Sequence, residues 1–279
     1  MTSFGERLQS VFERDGHLCV GIDPHTYLLS AWGLTADAAG LREFGLRVVE
    51  ASIGLVGIVK PQVAFFERYG SAGYAALEDV LSEARNAGLL VIADVKRGDV
   101  GSTVEAYGQA WLTPGSSLEA DAITISAFQG LGSLEAPHAL ALEAGKGLFV
   151  LGATSNPESV EIQSAITANG ESVSSSILTG VDTWNEAEGK PLGSTGVVVG
   201  ATVDFARFGI ADSPLSRTPV LAPGLGHQGA RFDQLRSIYT TASDRVVVSA
   251  SRSILAAGPV ELRNAIASQA AEVKAAMVA

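Results

Sequence analysis

The sequence predicts an α/β fold, a single-domain (β/α)8 TIM barrel spanning residues 1–279, and three observations carry that prediction. Eight short apolar runs recur along the 279 residues, segments rich in Ala, Leu, Glu and Arg separate them, and charged or small polar residues stand where several runs end. Strand and helix repeated in this order imply a parallel sheet covered by helices, and eight repeats over this length suit a closed barrel better than an open doubly wound sheet. With 47% hydrophobic residues and no break in composition, the chain can fill one large core.

Taken in order, Met1 to Asp15 mixes charges and lacks the apolar segment of a signal peptide, so it reads as a short amphipathic N-terminal helix of a cytoplasmic protein. The first run, 18–22, holds the only cysteine, Cys19, and ends at Asp23. A lone cysteine forms no intramolecular disulfide and is expected to be a buried small apolar residue. The second run, 55–60, ends in Lys60 just before Pro61, and the Ala-rich segment Ala72–Ala87 favours helix. The third, 89–94, is a continuous apolar stretch that reads as a buried parallel strand and leads into Asp94-Val95-Lys96-Arg97-Gly98-Asp99. The fourth and fifth are 121–126 and 147–152. A long Ser-, Gly-, Glu- and Asn-rich connection around 156–195 follows, expected to be a helix-containing excursion between the fifth and sixth strands. Runs 196–201, 218–222 and 245–250 complete the eight, and Pro259–Ala276 supplies a closing helix.

Charge narrows the function. A formal net charge of −11 argues against nonspecific binding to nucleic acid or acidic membranes, although a local basic pocket can still hold an anion. No apolar stretch approaches the roughly 20 residues that cross a bilayer. In a barrel, active residues collect where strands end and βα loops begin, which selects Asp23, Lys60, Asp94, Lys96, Ser126, Ser155, Pro223 and Arg252. Strand side chains alternate faces, so Asp94 and Lys96 should point the same way. An acid and an amine side by side at a strand end are costly to bury unless paired, and with Lys60 and Asp99 they suggest one charged site.

The loops after strands seven and eight often bind phosphate in this fold. Here they contain Gly224-Leu225-Gly226-His227-Gln228-Gly229 and Ser251-Arg252. The first matches the GxGxxG pattern, with Asp244 about twenty residues on, as in a dinucleotide fingerprint. It stands at the seventh strand rather than the first, with too little chain after it for a Rossmann domain, so a phosphate cradle or a plain tight turn are the readings left open. Arg252 suits a bidentate grip on phosphate. His25 and His227 have no acidic or cysteine cluster at ligand spacing, so no metal site is expected.

These residues resemble the orotidine 5′-phosphate decarboxylase family, particularly its long bacterial branch. The resemblance runs through Cys19-Val20-Gly21-Ile22-Asp23-Pro24, Val59-Lys60-Pro61-Gln62-Val63-Ala64-Phe65-Phe66-Glu67 and Asp94-Val95-Lys96-Arg97-Gly98-Asp99-Val100-Gly101-Ser102-Thr103. It continues in Ala153-Thr154-Ser155-Asn156-Pro157, Val220-Leu221-Ala222-Pro223-Gly224-Leu225-Gly226 and Ser251-Arg252, so it spans nearly the whole chain. The Asp-x-Lys-x-x-Asp core is shared with phosphosugar lyases and synthases of the same superfamily. Joined to the Lys60 and Ser155 blocks, it becomes specific.

The resemblance implies cofactor-independent decarboxylation of orotidine 5′-phosphate to uridine 5′-phosphate, the last step of de novo UMP synthesis, with no metal. It implies that Asp23 and Lys60 contact ribose hydroxyls, that Asp94 sits against the substrate carboxylate, and that Lys96 protonates C6. It places Ser155 on the pyrimidine and Pro223, Gln228, Ser251 and Arg252 around the rest of the nucleotide, the last three at its phosphate. Ser251 replaces a glycine of the short branch, so only its backbone N–H carries over. A homodimer is implied, with Asp99 and Thr103 reaching the neighbouring subunit's site.

Overall fold

The computed structural model describes residues 2–211, 215–226 and 229–278. Eight strands, β1 (Leu18–Ile22), β2 (Ile58–Pro61), β3 (Leu90–Arg97), β4 (Ala122–Ile125), β5 (Gly147–Ala153), β6 (Thr195–Val199), β7 (Val220–Ala222) and β8 (Val246–Ala250), close into one barrel in sequence order. Every pairing is parallel, and β8 returns to β1 through Leu18–Val248 and Cys19–Ser249. The eight apolar runs are thus the eight strands, shifted by up to three residues at their starts. The Gly-rich segment after 222 follows the seventh strand of a closed barrel, which removes the dinucleotide-domain reading.

Two apolar cores divide the work. One lies between strands and helices, where Leu18, Val20, Ile22, Val59, Val91 and Ala93 face Leu41, Phe44, Val48, Leu77 and Val80. The other fills the barrel and contains Cys19, Ile58, Leu90, Ile92, Ala122, Phe149, Val198, Leu221 and Val247. Because residues two apart share a face, the next inward positions above Ile58, Ile92 and Ala122 are Lys60, Asp94 and Thr124. The interior therefore changes from apolar to charged toward the C-terminal ends of the strands.

The N-terminal helix Phe4–Asp15 seals the opposite end. Ser3 and Glu6 form a capping box, and Phe4, Leu8 and Val11 join the interior core. Each such side chain is worth roughly 1.5–3 kcal/mol when fully buried. Phe4 meets Phe149 edge-on at 6.0 Å between ring centres, which requires the space left by Gly147. Arg7 ties the helix to Asp121 at 2.6 Å, beside the Lys146–Glu119 pair.

Between β5 and β6 the chain forms the helices Ser159–Gln163 and Val173–Glu188. Ser174 bonds the Gly152 carbonyl and Asn185 bonds the Thr195 carbonyl, so the second helix is stitched onto the two strands that it connects. Gln163 bonds the backbone N–H of Thr154 at 2.8 Å and its hydroxyl at 2.9 Å, bracing the loop that carries Ser155. Among the described residues no helix is long and apolar enough to cross a membrane.

Candidate active site

Strand β3 builds the centre of the site by departing from regularity. Its pairing with β4 shifts register between Ala93 and Arg97, and Lys96 takes a left-handed backbone with φ of 47°. A non-glycine residue there costs on the order of 1–3 kcal/mol and persists only when its surroundings hold it. What holds it is Thr124 on β4, whose hydroxyl accepts the Lys96 backbone N–H at 3.0 Å. The Lys96 ammonium then reaches Asp94 Oδ1 at 2.5 Å, so simple strand alternation predicts the shared face of these two residues but not the kink that delivers it.

Asp94 is 8% exposed and has four donors. Lys60 Nζ at 2.9 Å and Gln62 Nε2 at 3.1 Å bond Oδ2, while Lys96 Nζ and the Thr124 hydroxyl, at 2.8 Å, bond Oδ1. Burial alone would raise its pKa, but the facing Lys60 and Lys96 ammoniums outweigh that and hold the carboxyl well below the usual carboxylate range. Lys60, 7% exposed, is likewise opposed by burial, yet Asp94 and Asp23 push its pKa above that of an ordinary lysine. Both groups are charged at neutral pH.

Above this network opens a cavity of about 450 Å³. Lys60, Asp94, Lys96 and Thr124 form one wall, Leu151, Val198 and Leu221 an apolar floor, and Pro223, Gly224, Ser251 and Arg252 the far rim. Asp23 and Ser155 also line it. Asp23 Oδ1 is buried with no hydrogen-bond partner. Among the described residues Arg252 pairs with no carboxylate, whereas Lys60 and Lys96 both pair with Asp94. Three cations against two carboxylates suit the cavity to an anion, despite the acidity of the whole chain.

Close packing joins the rim to the strands. A Cβ on Gly21 of β1 would fall 2.5 Å from Ser251 Cβ, so the loop carrying Arg252 docks only against glycine. Gly224, Gly226 and Gly229 have φ of 100°, 77° and 110°, backbone conformations that favour glycine, and Gly224 lies on the cavity. Gln228 and His227 lie outside the described residues. His25 lines the cavity with its ring 4.3 Å from that of Phe65, and burial lowers its pKa. Cys19 lies in the interior core with its thiol pushed up to about 12 by burial, and is inert as expected. No metal-type cluster of His, Cys, Asp and Glu occurs among the described residues.

Asp99 and Thr103 do not line this cavity. Asp99 accepts its neighbour Val100's N–H at 2.8 Å, and Thr103 is exposed on the following helix, Gly101–Leu112. Ser126 also lies outside, because β4 ends at Ile125 and its inward residue near the mouth is Thr124. Thr124 and Gln62 are the cavity-lining partners of Asp94 that the reading of strand ends missed. Gln62 had a signal, standing two residues after Lys60 on the same face, but Thr124 had only its inward parity on β4.

Comparison with known proteins gives the family of the chain. The family model for the orotidine 5′-phosphate decarboxylase / HUMPS family matches residues 16–265. A curated orotidine 5′-phosphate decarboxylase of Salinispora tropica is 47% identical over 279 residues, covering 99% of both chains. A crystal structure of a Streptomyces avermitilis chain named for the same enzyme superposes with a TM-score of 0.94 at 46% identity, covering 100% of this chain and 97% of that one. The Leishmania donovani OMP decarboxylase structure gives 0.79 at 28% identity, with full coverage of both chains. The fold, the paired lysines and aspartate, and full-length relatives of this closeness lead to one conclusion: the chain belongs to the orotidine 5′-phosphate decarboxylase family.

Proposed function

We propose that this enzyme decarboxylates orotidine 5′-phosphate to uridine 5′-phosphate without a cofactor, with Lys96 as the proton donor to C6. One observation supports this reading most: the Lys60–Asp94–Lys96 chain of ion pairs lies in the same cavity as Arg252, which has no carboxylate partner among the described residues. Arg252 and the N–H of Ser251 grip the phosphate, joined by Gln228. Asp23 and Lys60 take the ribose hydroxyls, which satisfies the orphan Asp23 oxygen. Ser155 bonds the pyrimidine, Pro223 lines the cavity around the rest of the nucleotide, and Asp94 faces the departing carboxylate.

The bond from C6 to the carboxylate breaks and its electron pair stays on C6, where no ring carbonyl delocalises it effectively. The Lys96 ammonium stabilises that pair and donates a proton to it; carbon dioxide leaves and the neutral amine regains its proton from water. At about 4 Å and an effective dielectric near 20, one such interaction is worth roughly 4 kcal/mol, against barrier reductions of about 8–23 kcal/mol. The remainder comes from contacts to phosphate and ribose that order the site and exclude water, so that remote binding lowers the barrier at the reacting carbon.

An assay with purified protein, EDTA and orotidine 5′-phosphate tests this directly. The ultraviolet absorbance of orotidylate should fall; no change would refute the activity, and loss of activity in EDTA would favour a metal-dependent phosphosugar lyase instead. For Arg252→Ala we expect kcat/KM for the phosphorylated substrate to drop about 10²-fold, as for loss of a charge-assisted phosphate contact. The response to the unphosphorylated nucleoside should not change.

A homodimer with Asp99 and Thr103 serving the neighbouring site accounts for their position outside their own chain's cavity. Mixing inactive Lys96→Ala and Asp99→Ala subunits should then restore activity, because a hybrid holds one undamaged site. Demonstrated hybrids that remain inactive would put both residues in one chain's site.

A further inference from the structure

We propose that Thr124 is a positioning residue of the decarboxylation, setting both the backbone of Lys96 and the carboxylate of Asp94 through one hydroxyl. The inference rests on the reading of Lys96 as proton donor and extends it to a residue outside every motif that carried the family resemblance. Thr124 sits on β4, 1% exposed, at the inward position level with Asp94. Its hydroxyl accepts from the Lys96 N–H at 3.0 Å and donates to Asp94 Oδ1 at 2.8 Å. The hydroxyl gives its one proton to Asp94 and accepts the N–H of Lys96, which lies within the register shift of β3 against β4.

The consequences are mechanical. Lys96 stands at φ of 47°, a conformation that a lysine does not hold unaided, and the hydroxyl is the acceptor that secures it. The same hydroxyl occupies one side of Asp94 Oδ1, leaving the Lys96 ammonium the other. Removing it frees β3 to relax toward a regular strand, which swings the ammonium away from the reacting carbon. Ligand-gripping residues at the far rim are untouched.

Thr124→Val keeps the size and branching of the side chain and loses only the hydroxyl, while Thr124→Ser keeps the hydroxyl. In Thr124→Val we expect kcat to fall about 10²-fold, the scale of a misplacement near 1 Å, with KM and the affinity for uridine 5′-phosphate within about threefold of wild type. Thr124→Ser should retain kcat within about threefold. Thermal unfolding of each variant identifies any loss of fold, and if Val is not tolerated Thr124→Ala serves as the hydroxyl-free variant. Full kcat without the hydroxyl, or equal losses in the hydroxyl-free and Ser variants, would overturn the proposal. Failure of the wild type to turn over orotidine 5′-phosphate would instead overturn the assignment of the reaction, so the two failures are distinct.

Discussion

Lys96→Ala is expected to lower kcat by about 10⁴-fold or more while uridine 5′-phosphate still binds nearly as tightly as to the wild type. Proton transfer by a placed side chain contributes about 10²–10⁴, and the charge that this lysine sets beside the developing carbanion adds to it. The variant should fold well, because the Lys96 side chain is 47% exposed and its removal leaves Asp94 still paired with Lys60 at 2.9 Å. Single-turnover kinetics together with product titration separate the two effects. Substantial turnover in the variant would remove Lys96 from the role of donor. Weakened product binding matching the loss of rate would show that the amine acts on the ground state as strongly as on the transition state.

Asp94→Asn should damage stability as well as rate. The carboxylate receives both lysines, and Lys60 beside it is only 7% exposed. Taking away one partner of a buried pair leaves an uncompensated charge and typically costs about 3–5 kcal/mol. The loss should depend on pH with a definite sign. In the wild type, Lys60 has a raised folded pKa, so its contribution is fully present below the unfolded lysine value and is lost only as pH rises through the folded one. Asp94 has a depressed folded pKa, so its contribution is present above the unfolded carboxylate value and fades only as pH falls well below it. Wild-type stability from this pair is therefore flat between about pH 5 and 9. In the variant, desolvation of Lys60 is opposed by Asp23 alone, its pKa drops, and the stability deficit should shrink as pH rises and the amine becomes neutral. Urea unfolding from pH 6 to 9 measures this, and a deficit that does not change with pH would mean that Lys60 keeps its charge by other means.

Apolar and charged side chains divide the interior of the barrel. The lower interior is closed by Phe4, Leu8 and Val11 against Phe149 and its neighbours, and the upper interior holds Lys60, Asp94 and Thr124. A rigid apolar base lets the strand ends hold like and unlike charges at fixed distances, since moving any of them would disturb close-packed neighbours. The far rim is set with equal economy of space, through the approach of Gly21 to Ser251.

By itself the sequence determined the barrel and the family, and it singled out several of the residues that line the cavity. Eight apolar runs separated by helical segments follow from burial of a parallel sheet on both faces, and strand-end residues such as Lys60, Asp94, Lys96 and Arg252 stand out because charge at the end of an apolar run is rare without use. Tertiary structure alone decided the rest. Whether Lys96 meets Asp94 depended on a register shift between β3 and β4 and on a left-handed backbone that local alternation does not foresee. Thr124 and Gln62 became partners of Asp94 only when strands distant in sequence were brought side by side. Ser126 fell outside although it shares the parity of Thr124, because β4 ends one residue before it. Local pattern records which face a residue takes, whereas pairing across the barrel sets which residues from different strands share one level, and a charged site is made of such levels.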